Sequence, residues 1–274
     1  MLTRACIRSA SFFADKTMIT STSNSQIKGV MSLMKKSGER KSRGLFVIEG
    51  LRIFKEVPAD RIDRVYASES FAADNGILLD KYDAEIVSDN VFEYMSGTRT
   101  PQGILATVHI MDYSADEMIS GEKPLLVVLE NIQDPGNLGT IVRTAEGAGA
   151  SGIIMSEDTV DIYNPKVVRS TMGSLFRIPF VYCADICSTV SALNASGIHT
   201  YAAHLAGAED YCNQDFRQPS AILIGNEGNG LTDRLTALAE KKIKIPMAGR
   251  LESLNAAVST AVILYEAARQ RRQI

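Results

Sequence analysis

The apolar run Leu125-Leu-Val-Val-Leu129, followed at once by Asn131-Ile-Gln-Asp-Pro-Gly-Asn-Leu-Gly-Thr-Ile-Val-Arg143, constrains this chain most. An uninterrupted apolar run of this length reads as a strand buried on both faces, the setting of a parallel sheet covered by helices. Asp134-Pro135-Gly136 then bends the chain, and residues 137–147 read as a helix. A strand that ends in a polar turn and opens a helix is a natural place for a small molecule or a phosphate.

The rest of the C-terminal half repeats this pattern. Strands are expected at residues 152–155, 197–203 and 220–224, with a helix around 166–175, so the strands should run parallel at the centre. Residues 243–247 read as a short strand. An alanine-rich helix over 254–269 follows, with Leu254, Val258, Ala261, Val262 and Tyr265 near one face. In the N-terminal part, residues 27–43 begin a helix with the stripe Ile27, Val30, Leu33 and Met34. Strands at 45–48, 64–67, 85–87 and 104–111, with a helix over 51–57, suggest a separate small α/β domain. The expected organisation is a flexible N-terminal extension (1–26), a small domain (27–112), a linker (113–123) and a larger domain (124–274).

At 274 residues with a formal charge of −3, the chain has room for two compact units and lacks a uniformly basic surface. Binding depends on where charge sits as well as on its sum. Lys28, Lys35, Lys36, Arg40, Lys41 and Arg43 form a basic run opposed within it only by Glu39. It reads either as a solvated face or as a contact for nucleic-acid phosphates. Cys6, Cys183, Cys187 and Cys212 form no CxxC pair, although Cys183 and Cys187 are spaced to share a helical face. No metal site is expected, and a reduced, cytoplasmic protein is the simpler reading. No apolar stretch approaches the roughly 18 residues of a membrane helix. Met1 to Lys16 lacks the apolar core of a secretory signal, and Asp15 argues against an organellar presequence.

Two later segments sharpen the reading. Ile222-Leu-Ile-Gly-Asn-Glu-Gly-Asn-Gly-Leu231 sets a glycine-rich turn after a strand, where backbone can approach a ligand closely. Its spacing is neither the dinucleotide fingerprint nor a phosphate loop. Ile243-Lys-Ile-Pro-Met-Ala-Gly-Arg-Leu-Glu-Ser-Leu-Asn-Ala-Ala-Val-Ser259 supplies a strand, a proline turn and polar residues at a helix start. In this order and near this spacing, the three segments resemble the three motifs of the SpoU branch of the SPOUT RNA methyltransferases, the group that also contains the TrmH-type enzymes. Residues 27–110 look like that family's RNA-binding N-terminal domain, and Met18 opens a stretch that resembles the family's usual start.

The resemblance implies an α/β fold. A C-terminal SPOUT domain with a parallel sheet and a deep C-terminal trefoil knot would follow a small α/β RNA-binding domain resembling a ribosomal-protein-like fold. General topology rules make a knot rare, so only the resemblance supplies it. It further implies a homodimer that transfers the methyl group of S-adenosyl-L-methionine to a ribose 2′-hydroxyl of RNA, ribosomal RNA being preferred, with no membrane or DNA partner. The alternative is a nonmethylating RNA-binding or ribosome-associated protein that retains the fold.

By the same resemblance, Leu223, Gly225, Ile245, Met247, Leu254 and Asn255 surround the methyl donor, and Pro246 fixes a turn beside them. Asn255 and Ser253 also read as caps of the last helix, and Glu252 reads as peripheral. Arg143 is the expected catalytic residue, organised by Asn137 and Glu227, with Glu227 pairing to its guanidinium. A guanidinium donates and does not readily serve as a base, so Arg143 is read as gripping a phosphate and orienting the hydroxyl. The family has also been viewed as using this arginine as the general base. Asn131 is expected to shape the first turn. Arg43, Arg99, Arg169 and Ser170 are expected to meet the RNA, with Gln102 beside Arg99 and with Met172, Gly173 and Arg177 near the last two.

Overall fold

The computed structural model describes residues 17–205 and 209–272, so Met1 to Lys16 and Cys6 lie outside the described residues. Two compact units emerge. One takes the described residues through Met111 together with Tyr163–Arg169, and the other takes Asp112–Ile162 and the described residues from Ser170 onward.

In the N-terminal unit, the helix expected over 27–43 is two helices, α1 (Ser25–Lys35) and α2 (Ser37–Arg43), because Lys36 adopts extended backbone. Ile27, Val30 and Leu33 are buried as the stripe requires. Arg40 is itself buried and donates to the carbonyls of Leu33 (2.6 Å) and Met34 (3.4 Å). It therefore closes the last turn of α1, where carbonyls lack helical partners, and leaves the basic run that could face a phosphate. Next come β1 (Leu45–Glu49), α3 (Leu51–Phe54), β2 (Ile62–Ser68), α4 (Glu69–Leu79), β3 (Glu85–Val87), α5 (Asp89–Met95) and β4 (Ile104–His109). The sheet order is β1-β4-β2-β3. β4 runs antiparallel to both neighbours, and β3 runs parallel to β2. Ile19, within the stretch expected to be a flexible extension, bridges to Val87 and is buried.

The C-terminal unit begins with α6 (Ala115–Ile119), held by a capping box between Ser114 and Glu117. Its Met118 is buried among Leu126, Val128 and Ile154, so the polar tract 113–123 carries a docked helix. The chain continues through β5 (Leu125–Leu129), α7 (Pro135–Ala148), β6 (Gly152–Ser156), α8 (Pro165–Thr171, whose residues up to Arg169 fall in the N-terminal unit), β7 (Phe180–Cys183), α9 (Ile186–Ala195), β8 (His199–Ala203), β9 (Glu209–Asp210), β10 (Ser220–Ile224), α10 (Asp233–Leu238), β11 (Lys241–Lys244) and α11 (Ala256–Arg271). The sheet order is β7-β6-β5-β10-β8-β11-β9, and every pairing in it is parallel. The central strands β5 and β10 are buried along their whole length, in keeping with a sequence that is apolar throughout β5 and, after Ser220, in β10. Cys183 and Cys187 fall on β7 and α9 and share no helical face.

The last helix buries a different face from the one expected. Ala257, Thr260, Ile263, Leu264, Ala267 and Ala268 are buried, whereas Val258 and Tyr265 are 48% and 50% exposed. Small residues let α11 lie close on α7 and β10, and that contact outweighs the bulkier stripe.

Arg271, at the end of α11, donates to the carbonyls of Lys123 (2.6 Å), Phe216 (2.7 Å), Gln218 (2.8 Å) and Pro124 (3.2 Å). It ties the final turn to the start of β5 and to the segment before β10. Arg271→Ala should lower the unfolding free energy in urea by about 2 kcal/mol, since several charge-assisted bonds are lost together. Arg271→Lys should recover only part, because one ammonium cannot span the same carbonyls. An unchanged urea midpoint in both variants would refute the clasp.

Candidate active site

Because β5 and β10 are adjacent and parallel, the turns that leave their C-terminal ends meet. Glu130, the first residue past β5, is buried, and its carboxylate accepts from the Thr232 amide (2.7 Å) and hydroxyl (2.8 Å). Thr232 in turn caps α10. Asn131 adopts left-handed backbone (φ 56°), which asparagine tolerates better than most side chains. Its carbonyl accepts from Asn226 Nδ2 at 2.8 Å. Asn226 Oδ1 accepts from the amides of Gly228 and Asn229, which shapes the glycine-rich turn from within.

Glu227 crosses to the first turn, where its carboxylate accepts from the amides of Gln133 (3.1 Å) and Asp134 (3.0 Å) and from Asn137 Nδ2 (2.9 Å). Burial alone would raise this carboxyl, but the Asn137 amide and these backbone N–H groups outweigh it and hold the group below its ordinary value. Asn137 Oδ1 then accepts from Asn255 Nδ2 at 2.9 Å. Asn255 Oδ1 accepts from the amides of Ala257 and Val258 and so caps α11. One hydrogen-bonded chain, Glu227 to Asn137 to Asn255, thus joins all three sequence segments.

Beside it lies a cavity of about 360 Å³, lined by Ala203–Leu205, Ile224–Leu231, Ile243–Ile245, Met247, Glu252–Leu254, Ala256, Ser259 and Ile263. That size suits a small organic ligand. Gly225 sits where its turn folds back on itself: a Cβ there would stand 2.1 Å from both the Gly230 carbonyl carbon and the Leu231 nitrogen. Asn226 and Gly230 exchange backbone hydrogen bonds across this turn (3.0 and 2.9 Å).

Of the residues expected at the donor, Gly225, Ile245, Met247 and Leu254 line the cavity. Leu223 does not. Alternation along β10 sends its side chain into the sheet core, and Ile224 meets the cavity instead. Asn255 is outside the lining and acts on its frame, whereas Glu252, expected to be peripheral, is part of it. Glu227 does not pair with Arg143. Its carboxylate is taken by the first turn, and Arg143 is exposed with no hydrogen bond or ion pair among the described residues. At 3.6 residues per turn, Arg143 stands about 120° around α7 from Asn137 and is outside the lining.

In the N-terminal unit, Arg43 is exposed and donates to the Gly29 carbonyl (3.4 Å). Arg99 is exposed on the loop before β4, and Arg169 stands 3.9 Å from Glu49. Gln102 is exposed, its Oε1 accepting from the Leu51 amide. In the C-terminal unit, Ser170 is half-buried near the end of α8, and Arg177 donates to Glu146 at 3.1 Å. That ion pair leaves Arg177 less available for a phosphate.

The model of the SpoU rRNA Methylase family matches residues 124–265. The chain belongs to that family. The model of the MRM3-like substrate binding domain matches residues 24–106. An uncharacterized tRNA/rRNA methyltransferase of Synechocystis sp. is 33% identical over 94% of this chain and 96% of its own length. The 23S rRNA (guanosine(2553)-2′-O)-methyltransferase RlmP of Bacillus subtilis is 31% identical over 90% of this chain and 97% of its own. The SpoU methyltransferase AviRb of Streptomyces viridochromogenes, solved with AdoMet, is 30% identical, with a TM-score of 0.80 over 91% of this chain and 98% of its own.

Within this SpoU methylase, sequence reading does not foresee the Glu130–Thr232 contact, which fastens the turn after β5 to the cap of α10. Each is an ordinary polar residue beside a strand or a turn, and only the β5–β10 register brings them together. Asn255→Asp separates the cap from the link to Asn137. An aspartate retains the acceptor for Ala257 and Val258 but sets an oxygen against Asn137 Oδ1. The variant should keep its thermal midpoint within a few degrees while donor affinity falls roughly tenfold, the scale of one lost hydrogen bond that leaves a charge repelled. Unchanged affinity by calorimetry would remove Asn255 from the site.

Proposed function

We propose that this chain transfers the methyl group of S-adenosylmethionine to a ribose 2′-hydroxyl of RNA, with ribosomal RNA as the substrate. The observation that carries the reading is the hydrogen-bonded chain Glu227–Asn137–Asn255 at the edge of a cavity walled by the second and third segments. The cavity fits the donor. It has suitable volume, apolar walls from Ile224, Ile245, Met247 and Leu254, and a wall at Gly225 where the turn packs so tightly on Gly230 and Leu231 that only glycine fits. Names of relatives support the substrate class, since RlmP of Bacillus subtilis acts on 23S rRNA.

The donor supplies an electrophilic methyl group on a sulfonium. The chain's own part is to hold the hydroxyl in line and to stabilise charge developing on its oxygen. Arg143 performs that second task, gripping the adjacent phosphate and orienting the 2′-oxygen. That it has no hydrogen bond or ion pair among the described residues supports this role. Asn137 and Glu227 fix the turn from which α7, and so Arg143, projects.

The further reading is a homodimer. Val258 and Tyr265 form an exposed apolar stripe on α11, and Arg143 lies outside its own chain's cavity lining, as a residue serving a partner's site would. The trefoil knot belongs to the same reading, supported by the position of β11 between β8 and β9. The domain bounds 27–112 and 124–274 and a cytoplasmic setting complete it. Among the described residues no helix is long and apolar enough to cross a membrane, and Cys183, Cys187 and Cys212 are free.

The test is transfer of labelled methyl from S-adenosylmethionine to total RNA of cells lacking this gene, with fractionation and nucleoside mass spectrometry. A new 2′-O-methyl nucleoside in ribosomal RNA is expected. Donor binding without incorporation into any RNA would favour the nonmethylating alternative.

A further inference from the structure

The loop before β4, Ser96 to Gln102, is built around an internal carboxylate. Glu49, the last residue of β1, has a side chain only 5% exposed. One of its oxygens accepts from the hydroxyls of Ser96 and of Thr98 (2.8 Å), and the other accepts from the Gly97 amide at 2.9 Å. The second oxygen also lies 3.9 Å from Arg169 Nη1, and that guanidinium borders Gly97, as does the Met34 side chain near the end of α1. At the far end of the loop, Gln102 Oε1 accepts from the Leu51 amide at 2.8 Å. The loop is therefore fixed at both ends to the segment Glu49–Leu51.

A carboxylate is costly to bury, and it is tolerated here because three donors satisfy it and a guanidinium faces it. The fold of a surface loop does not by itself require such a group. What the arrangement achieves is a fixed stretch in which Arg99 and Thr100 are exposed and have no hydrogen bond or ion pair among the described residues. Exposed Lys35 and Lys36 follow Met34 directly, so positive charge gathers around a loop whose inner donors are already occupied.

We propose that Glu49 is a positioning residue for RNA: by holding Ser96, Gly97, Thr98 and Arg169 it sets the Arg99 loop in the shape that grips substrate phosphates. The proposal rests on the RNA-methyltransferase reading above. Preorganisation lowers the ordering cost of binding and leaves the chemical step untouched. Glu49→Gln keeps the size of the side chain but loses the charge opposite Arg169 and places an NH2 among donors.

The experiment is steady-state methyl transfer by the full chain on ribosomal RNA at several salt concentrations, with S-adenosylmethionine affinity and thermal midpoint measured alongside. Glu49→Gln should raise the KM for RNA roughly tenfold, with kcat and donor affinity within about twofold of the parent. Thr98→Val removes one hydroxyl at the exposed rim of the cluster and covers the case in which Glu49→Gln fails to fold. It should raise KM in the same way, while Thr98→Ser, which keeps the hydroxyl, restores the parent KM. An unchanged KM in Thr98→Val and Glu49→Gln, or equal losses in KM, kcat and donor affinity, overturns the proposal. If the parent protein itself methylates no RNA, the underlying functional reading has failed instead.

Discussion

Arg143→Ala should bind S-adenosylmethionine as the parent does and transfer methyl to RNA slower by roughly two to three orders of magnitude, the usual cost of removing one donor aimed at developing charge. The expectation follows from where the side chain is not. Arg143 does not line the donor cavity, so its loss should not alter donor affinity. It has no hydrogen bond or ion pair among the described residues and is exposed on α7, so its loss should cost the fold little. The proposed role directs this exposed charge, on the helix anchored by the Glu227–Asn137 contact, towards substrate. Arg143→Lys should recover only a small part, since an ammonium lacks the planar fork that suits a phosphate. Calorimetry with the donor and single-turnover transfer measure the two halves separately. Near-parental turnover in both variants would reject the assignment, and loss of donor binding would move Arg143 into the cavity.

Gly225→Ala should have the opposite signature, losing donor affinity by about a hundredfold or more. Its Cβ would stand 2.1 Å from backbone atoms of Gly230 and Leu231, which no side-chain rotation can relieve. The turn must open, at a cost of about 3 kcal/mol by the usual scale of overpacking. Opening breaks the paired Asn226–Gly230 hydrogen bonds and shifts Asn226 and Glu227, which hold this turn to Asn131, Gln133 and Asp134. A variant that folds yet retains full donor affinity would show that the turn is not part of the donor site.

The central strands were legible because residues 125–129 and 221–224 are apolar runs bounded by turn residues, which read as interior strands, and the intervening helices pointed to parallel pairing. The glycine-rich turn and the Asn137–Arg143 stretch were legible through motif resemblance. Which partner each side chain takes was not. Sequence pairs Glu227 with the Arg143 guanidinium, but a carboxylate beside two backbone amides and an asparagine is satisfied by the turn itself. Arg40 looked like part of a basic face, and helix-end carbonyls took it inside. The buried side of α11 is not legible from side-chain size, because closeness of approach to α7 decides it. α4 left no clear trace because Asn75 breaks its regularity and its buried positions include Ala72 and Gly76.

The position of β11 sets an order of events. It enters the sheet between β8 and β9, both of which precede it in sequence, and α11 then settles on α7. Because β9 pairs, among the described residues, only with β11, this edge of the sheet cannot form beyond β8 until β11 has been made, and pairings so distant in sequence form slowly. Ile243–Ile245, Met247 and Glu252–Leu254, which wall the cavity, arrive with that last piece. A nascent or truncated chain therefore has no donor pocket, and the gain of donor binding after dilution from denaturant should report completion of the slowest folding step.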